Sequence, residues 1–278
     1  MKTKKKTKPP RYDAIRAGSF WSQRLQSTDP LSAVLTYNAP AELNRAYDEW
    51  ERKSLLDHLP AKMKGKRVLD LGSGIGRLSI PLAKLGAEVI AVDPSDGMRR
   101  HLAKEAKKAG VDDRVTTVSA SADQIPFGDK LFDVAICFGV LEHLPEHARK
   151  TCLQELIRVV SRKGKIFAVV NNFDNALLRE TYGLKAQRKD GYFVSLVGLE
   201  WIQRQCRRFD AVATVRTANP FYAMAHYYLQ PNLKKSGITK REFAELCRQL
   251  PQLDAAHGLS EPLCRRMASH YLVEIVRK

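Results

Sequence analysis

The chain has 278 residues, of which 44% are hydrophobic and 28% charged; these are the proportions of a globular protein long enough for one large α/β domain with a cap, and they exclude bulk disorder and a disulfide-stapled mini-fold. A formal net charge of +17 favours an anionic partner: a phosphorylated or carboxylated substrate, RNA, or an anionic lipid surface. No apolar run reaches the roughly 18 to 20 residues of a bilayer-crossing helix, and the Lys-rich start leads into polar residues, so neither a membrane span nor a secretory signal is expected.

Residues 1–12, with Lys2, Lys4, Lys5, Lys6 and Lys8, read as a basic disordered tail. Residues 13–64 read as an N-terminal helical flap. Within it Phe20, Trp21, Leu25, Leu31 and Leu35 lie between polar residues. After the breaker Asn38-Ala39-Pro40, Leu43, Ala46, Tyr47, Trp50, Leu55 and Leu56 recur at helical spacing over 41–59. From residue 65 to 278 short β-branched runs at 67–71, 88–92, 115–119, 132–138 and 165–170 alternate with helical stretches at 77–85, 96–109 and 146–160. Such alternation predicts parallel strands joined by right-handed crossovers in a doubly wound sheet. A helix over 199–209, a strand over 211–217 and a closing strand over 271–276 follow. Segments 171–197 and 218–269 are left as lids, the second including a helix over 240–249. Cys137, Cys152, Cys206, Cys247 and Cys264 are odd in number, scattered and without a CxxC pair, as expected of reduced cytoplasmic thiols.

The segment Val68-Leu69-Asp70-Leu71-Gly72-Ser73-Gly74-Ile75-Gly76-Arg77 is a buried strand running into a glycine turn, where a ligand approaches the backbone closely. A dinucleotide fingerprint requires glycine or alanine where Arg77 stands, and no Walker A lysine is present. The second strand ends at Val92-Asp93-Pro94, which puts a carboxylate beside that turn, suited to a ribose diol or to a helix N-cap. The third is followed by Ser121-Ala122-Asp123-Gln124-Ile125-Pro126-Phe127. The fourth runs from Phe132 through Phe138-Gly139-Val140-Leu141-Glu142-His143-Leu144.

On these four motifs, in this order, the chain resembles the class I S-adenosylmethionine-dependent methyltransferases of the small-molecule branch with an ADxxPF loop and a VLEHL segment. The likeness is close over 65–172 and in outline elsewhere. It implies a Rossmann-like, mostly parallel seven-stranded sheet and S-adenosyl-L-methionine as cofactor. Gly72, Ser73, Gly74 and Gly76 would approach its methionine and ribose parts, with Asp70 beneath the turn. Asp93 and Pro94 would meet the ribose, Ser95 and Met98 would flank the adenine, and Ala122, Asp123 and Gln124 would meet its edge. Phe138 and Gly139 would line the cleft beside the sulfonium.

Methyl transfer is an in-line displacement in which the protein mainly positions the acceptor and removes its proton. His143, Glu142 and His226 are the candidate bases; the rival reading has Glu142 and His143 orienting the cleft or capping the next helix. His143-Leu144-Pro145-Glu146-His147 formally matches H-x-x-E-H, but Pro145 suits a helix start better than a metal-binding helix, and no metal is expected. Three segments compete to recognise the acceptor: 20–35, 171–192 and 220–229, the last with Phe221, Tyr222, Met224, His226, Tyr227 and Tyr228. Asn219-Pro220-Phe221 resembles a signature of nucleic-acid amino-methyltransferases but follows a late strand, which counts against base flipping. The sequence therefore predicts methyl transfer to oxygen or nitrogen of a small, anionic or aromatic metabolite. An RNA methyltransferase using the basic surface, or a non-catalytic cofactor-binding protein, are the alternatives.

Overall fold

A computed structural model describes residues 12–36, 39–173, 175–182, 187–189 and 192–278; the expected basic tail, apart from Tyr12, lies outside them. Strands β1 (Arg67–Leu71), β2 (Glu88–Val92), β3 (Val115–Val118), β4 (Phe132–Cys137) and β5 (Val160–Asn171) run parallel. They alternate with helices α4 (Ser79–Lys84), α5 (Asp96–Lys108) and α6 (Glu146–Val159). Two further strands, β8 (Ala211–Ala218) and β9 (His270–Arg277), complete a seven-stranded sheet in the order β3-β2-β1-β4-β5-β9-β8. Strand β9 is antiparallel to both neighbours. A small antiparallel hairpin of β6 (Gln187–Lys189) and β7 (Tyr192–Val194) stands apart.

Successive residues in the strands feed opposite layers and residues two apart share one, as the pleat requires. Val134 and Ile136 of β4 pack with Trp50, Leu55, Leu82 and Cys247. Ala135 and Cys137 pack with Leu153, Leu156, Ile202 and Cys206. Helix α6 and α8 (Leu199–Arg208) thus cover one face; α3 (Ala41–Leu56), α4 and α11 (Lys240–His257) cover the other. Trp50, 2% exposed, is the largest side chain of that second layer, and burying a residue of this size contributes about 2–3 kcal/mol.

Three boundaries differ from expectation for physical reasons. Helix α4 starts at Ser79 rather than 77, because Gly76 N donates to Ser73 O (2.9 Å) and the glycine turn persists that far. Strand β5 begins at Val160, directly from the end of α6. Helix α11 runs through Pro251 to His257 instead of stopping at 249. The missing proline donor is outweighed by the face that α11 buries, Phe243, Cys247, Leu250 and Pro251, which tertiary packing rewards over propensity.

The N-terminal region folds onto this core as α1 (Ala14–Ser27), α2 (Pro30–Val34) and α3. Asp13 and Asp29 cap the first two, accepting from Arg16 N and Ser32 N at 3.0 Å each. Helix α1 lies on α5 through small residues: Ser22 Oγ is 2.8 Å from Ser95 Oγ and accepts from Gly97 N (3.1 Å). A Cβ on Gly18 would sit 2.6 Å from Pro94 O. This closeness turns Trp21 over the carboxyl ends of the strands.

Candidate active site

The strand order reverses between β1 and β4, whose carboxyl ends lie side by side; ligands of doubly wound sheets bind outside that switch point. Here a chamber opens whose space, the solvent at its mouth included, comes to about 870 Å³. The glycine turn after β1 forms its floor. Gly72 N and Ser73 N both donate to Val92 O (2.7 and 3.1 Å), tying the turn to β2. Gly72 has φ +73, and a Cβ there would overlap the Val140 side chain from the loop after β4. Only glycine lets these two loops approach so closely.

Asp93, at the end of β2, is 7% exposed. Its Oδ1 accepts from Ser95 N (2.8 Å) and its Oδ2 from Gly74 N (2.9 Å). A carboxylate offers about four acceptor positions, so two remain for a ligand. Burial raises its pKa against the pull of those two amides. Asp70 stays buried beneath the turn, accepting from Ser79 Oγ (2.5 Å), and desolvation pushes it up to about 6. Ser73 Oγ is buried and makes no hydrogen bond, a cost of about 1–3 kcal/mol that a bound polar ligand relieves. Met98, Ala122, Phe138, Val92 and Leu144 make the apolar wall. Spare acceptors at Asp93, an unspent hydroxyl at Ser73 and an apolar wall beside them fit an adenosyl group.

Asp70, Gly72, Ser73, Gly74, Asp93, Pro94, Met98, Ala122, Phe138, Gly139 and His143 all line this chamber. The remaining candidates sit elsewhere. Gly76 faces Leu102 of α5, so its lack of a Cβ serves the packing of turn on helix. Ser95 is the N-cap of α5, its Oγ engaged by Met98 N and Ser22. Asp123 accepts from the Ser121 hydroxyl, and Gln124 is exposed.

A second chamber, about 1180 Å³, adjoins the first and shares Trp21, Val34, Arg77, Gly139 and His143 with it. Tyr47 of α3 stacks on Trp50 (ring centroids 5.8 Å) and on Tyr222 (4.8 Å), and Tyr222 stacks on His226 (5.7 Å). Tyr222 belongs to α9 (Pro220–Met224), whose first turn is held by Asp254 of α11, accepting from Phe221 N (2.8 Å) and Tyr222 N (3.2 Å). Of the aromatic run at 220–229 only Tyr222 and Tyr227 line the chamber. Phe221 instead packs edge-on to His257 (6.1 Å), and Met224 and Tyr228 are exposed.

Glu142 and His143 enter from the short turn Leu141–His143 after β4. Pro145 ends that turn as the N-cap of α6, and His147 is exposed on α6, so this stretch is a helix start. Arg149 of α6 holds the turn: Nε donates to Leu141 O (2.7 Å), one Nη to Leu144 O (2.8 Å) and to Ser195 Oγ. Glu142 lines the second chamber, and its Oε2 makes no hydrogen bond. Burial raises its pKa to about 7, opposed by its own backbone amide and by the charge of Arg149. His143 lines both chambers, and its Nδ1 lies 2.8 Å from Phe193 O. A carbonyl only accepts, so Nδ1 carries the hydrogen; burial lowers the ring to about 4. His226 lines neither chamber and is lowered to about 4 in the same way. Of the three candidate bases, Glu142 is the one poised near neutrality.

The sequence reading missed Tyr12 and Arg77 in the first chamber and Tyr47 and His270 in the second, while Trp21 and Asn171 fall inside the segments 20–35 and 171–192 named for the acceptor without being singled out. Burial works against the charge of Arg77, but Glu51 (2.5 Å) and Asp48 (3.3 Å) outweigh it and hold the guanidinium firmly charged. Arg77 could have been found by asking which cation meets the acidic positions 48 and 51 on one face of α3.

A family model for a methyltransferase domain matches residues 68–164. A ubiquinone biosynthesis O-methyltransferase of Paracidovorax citrulli is 32% identical over 200 residues, covering 68% of this chain and 79% of that protein. A demethylmenaquinone methyltransferase of Clavibacter sepedonicus is 39% identical over 145 residues, 49% of this chain and 54% of its own length; the chain spans about half the length of that relative. Among solved structures, magnesium protoporphyrin IX methyltransferase from Synechocystis PCC 6803 with bound SAH has a TM-score of 0.59 at 15% identity, covering 96% of this chain and 98% of its own. The [4+2]-cyclase SpnF has a TM-score of 0.62 at 16% identity, covering 97% and 98%. At these identities the two structures speak for the fold alone.

Proposed function

Because the chain belongs to the class I S-adenosylmethionine-dependent methyltransferases, we propose that it transfers a methyl group to oxygen or nitrogen of a small molecule held in the second chamber. The observation that carries this reading is the shared wall. A chamber suited to an adenosyl group opens onto an aromatic one at Gly139 and His143, the arrangement an in-line displacement between two ligands requires. Two relatives that match over this core are named as a demethylmenaquinone methyltransferase and a ubiquinone biosynthesis O-methyltransferase, and the VLEHL-type branch and an aromatic acceptor are part of the proposal. So is a cytoplasmic location, with which the five free cysteines agree; among the described residues no helix is long and apolar enough to cross a membrane.

S-adenosylmethionine supplies both the electrophilic methyl group and its leaving group. The chain supplies the rest. Asp93 receives the ribose hydroxyls on its two spare acceptor positions, and Ser73 Oγ gains the partner it lacks. Trp21 and Val34, from the flap, line both chambers and narrow the opening between them and solvent. Glu142 takes the acceptor's proton on Oε2 while His143, neutral and fixed by Phe193 O, shapes the passage. The Arg149 clamp keeps that turn in place.

Calorimetry with S-adenosylmethionine and its demethylated product is the first test. Both bind, and Asp93→Ala weakens them by about 1–3 kcal/mol through loss of charge-assisted hydrogen bonds. Unchanged affinity in that variant would remove the ribose role of Asp93. Incubation with labelled methyl donor and fractionated extract then identifies the acceptor, and absence of label in every fraction counts against turnover.

A further inference from the structure

A chain of hydrogen bonds runs from a buried amide to the second chamber. Asn219, fully buried between β8 and α9, has its Oδ1 facing two backbone amides, Ser269 N (3.1 Å) and His270 N (2.8 Å). Backbone amides only donate, so the amide orientation of Asn219 is determined. Ser269 Oγ also donates to that oxygen (3.1 Å). The same Oγ also lies 2.9 Å from His270 Nδ1; with the hydroxyl hydrogen kept on Asn219, it accepts from that nitrogen. Burial, helped by nearby His226, lowers His270 to about 3, so the ring carries one hydrogen, which in this arrangement lies on Nδ1. His270 Nε2 is then a bare acceptor. The Asn171 side chain meets it at 3.2 Å and must present its NH₂ there. What remains is Asn171 Oδ1 on a residue 6% exposed, lining the chamber and without a hydrogen-bond partner.

The geometry points to Asn171 as the residue that selects acceptor molecules by their hydrogen-bond donors, with His270 as the positioning residue that holds its amide in the accepting sense. Glu142 Oε2, the other unpartnered oxygen lining the chamber, is an acceptor too. Around them stand the aromatic faces of Tyr47 and Tyr222 and the Trp21 ring. Two oxygens that accept, in an aromatic enclosure, suit a planar molecule bearing a phenolic hydroxyl or aryl amine. They disfavour one whose donors are already methylated, because a donor-free ligand leaves a buried acceptor unpaired. This is also how product would be told from substrate. The inference rests on the methyltransferase reading for what happens next, but the selection itself is a property of binding.

The test uses the full chain with S-adenosylhomocysteine present, and ligand-observed NMR titration of 4-methylphenol against 4-methylanisole, which differ by one methyl on the oxygen. The phenol binds at least about tenfold more tightly than the anisole. Asn171→Leu and His270→Phe bring the two within about threefold while S-adenosylhomocysteine affinity holds. His270→Gln restores the preference, because its side-chain oxygen accepts from the Asn171 NH₂. Equal affinities in the unaltered protein, or a preference surviving in Asn171→Leu, would overturn the inference. Should the variants fail to fold, nitrogen NMR of the unaltered protein decides: hydrogen on His270 Nδ1 supports it, and hydrogen on Nε2 reverses the Asn171 amide and sinks it. Failure of S-adenosylhomocysteine to bind would strike the methyltransferase reading alone and leave the tautomer result standing.

Discussion

The two chambers are built by different means. The first is made largely of backbone: a glycine turn, two strand ends and a carboxylate already tied to Gly74 N and Ser95 N, within about seventy consecutive residues from Asp70 to Gly139. The second is made of side chains brought from α1, α3, α9, the end of β5 and the start of β9. A backbone-built site changes little when side chains change, whereas a side-chain-built one can be refitted to another acceptor without disturbing the sheet. This division predicts that damage to one chamber leaves ligand binding in the other nearly intact.

The largest effect is expected at Glu142. With a pKa raised to about 7, it is mostly protonated below neutrality, and only its charged form takes a proton. Turnover in the unaltered protein should therefore rise with pH up to about 7 and level off above, His143 at about 4 being neutral throughout. Glu142→Gln lowers kcat by about a hundredfold or more and flattens that limb. The same substitution leaves S-adenosylhomocysteine affinity within about twofold by calorimetry, because Glu142 lines only the second chamber. A variant with unaltered kcat and pH profile would show that Glu142 is not the base; one that lost cofactor affinity as well would break the separation of the chambers.

The same division explains what the sequence made legible. Strand alternation and the motifs at 68–77, 93 and 132–144 lie in contiguous segments whose physics is local, so the sheet and the part of the first chamber built from those segments could be read directly. Asn171, Tyr47 and His270 carry no local signal: each is an ordinary residue of a strand or helix, and they meet only because β9 inserts antiparallel between β5 and β8. Asn171 sits opposite His270 in that register, a pairing no spacing along the chain reveals. Ser95 was misleading for the opposite reason. It adjoins Asp93 and Pro94, yet capping α5 and meeting Ser22 already engage its hydroxyl.

Gly72→Ala probes the first chamber from the backbone side. At φ +73 with Val140 against it, an added Cβ costs about 1–3 kcal/mol of strain, which the turn relieves by moving away from the position that faces the ligand. S-adenosylhomocysteine affinity should fall by about tenfold or more by calorimetry. The phenol preference of the second chamber should persist, since Gly72 does not line it. Loss of both together would mean that the glycine turn supports the second chamber too.

The smallest effect is expected at Gly18, and it tests α1, one of the elements the chambers share. An added Cβ would lie 2.6 Å from Pro94 O, so Gly18→Ala must push α1 outward from α5 or strain the chain after β2. Overpacking of this kind costs about 1–3 kcal/mol when the neighbours are rigid and less when a surface helix can tilt. Trp21, three residues on, lines both chambers and packs edge-on to His143 at 5.1 Å. A tilt of α1 therefore draws one ring out of two sites at once. Affinities for S-adenosylhomocysteine and for 4-methylphenol should fall together by about two- to fivefold, with a shift in tryptophan emission as Trp21 meets water. If only the cofactor were weakened, α1 would belong to the first chamber alone, and the second would owe its closure to α2 and α9.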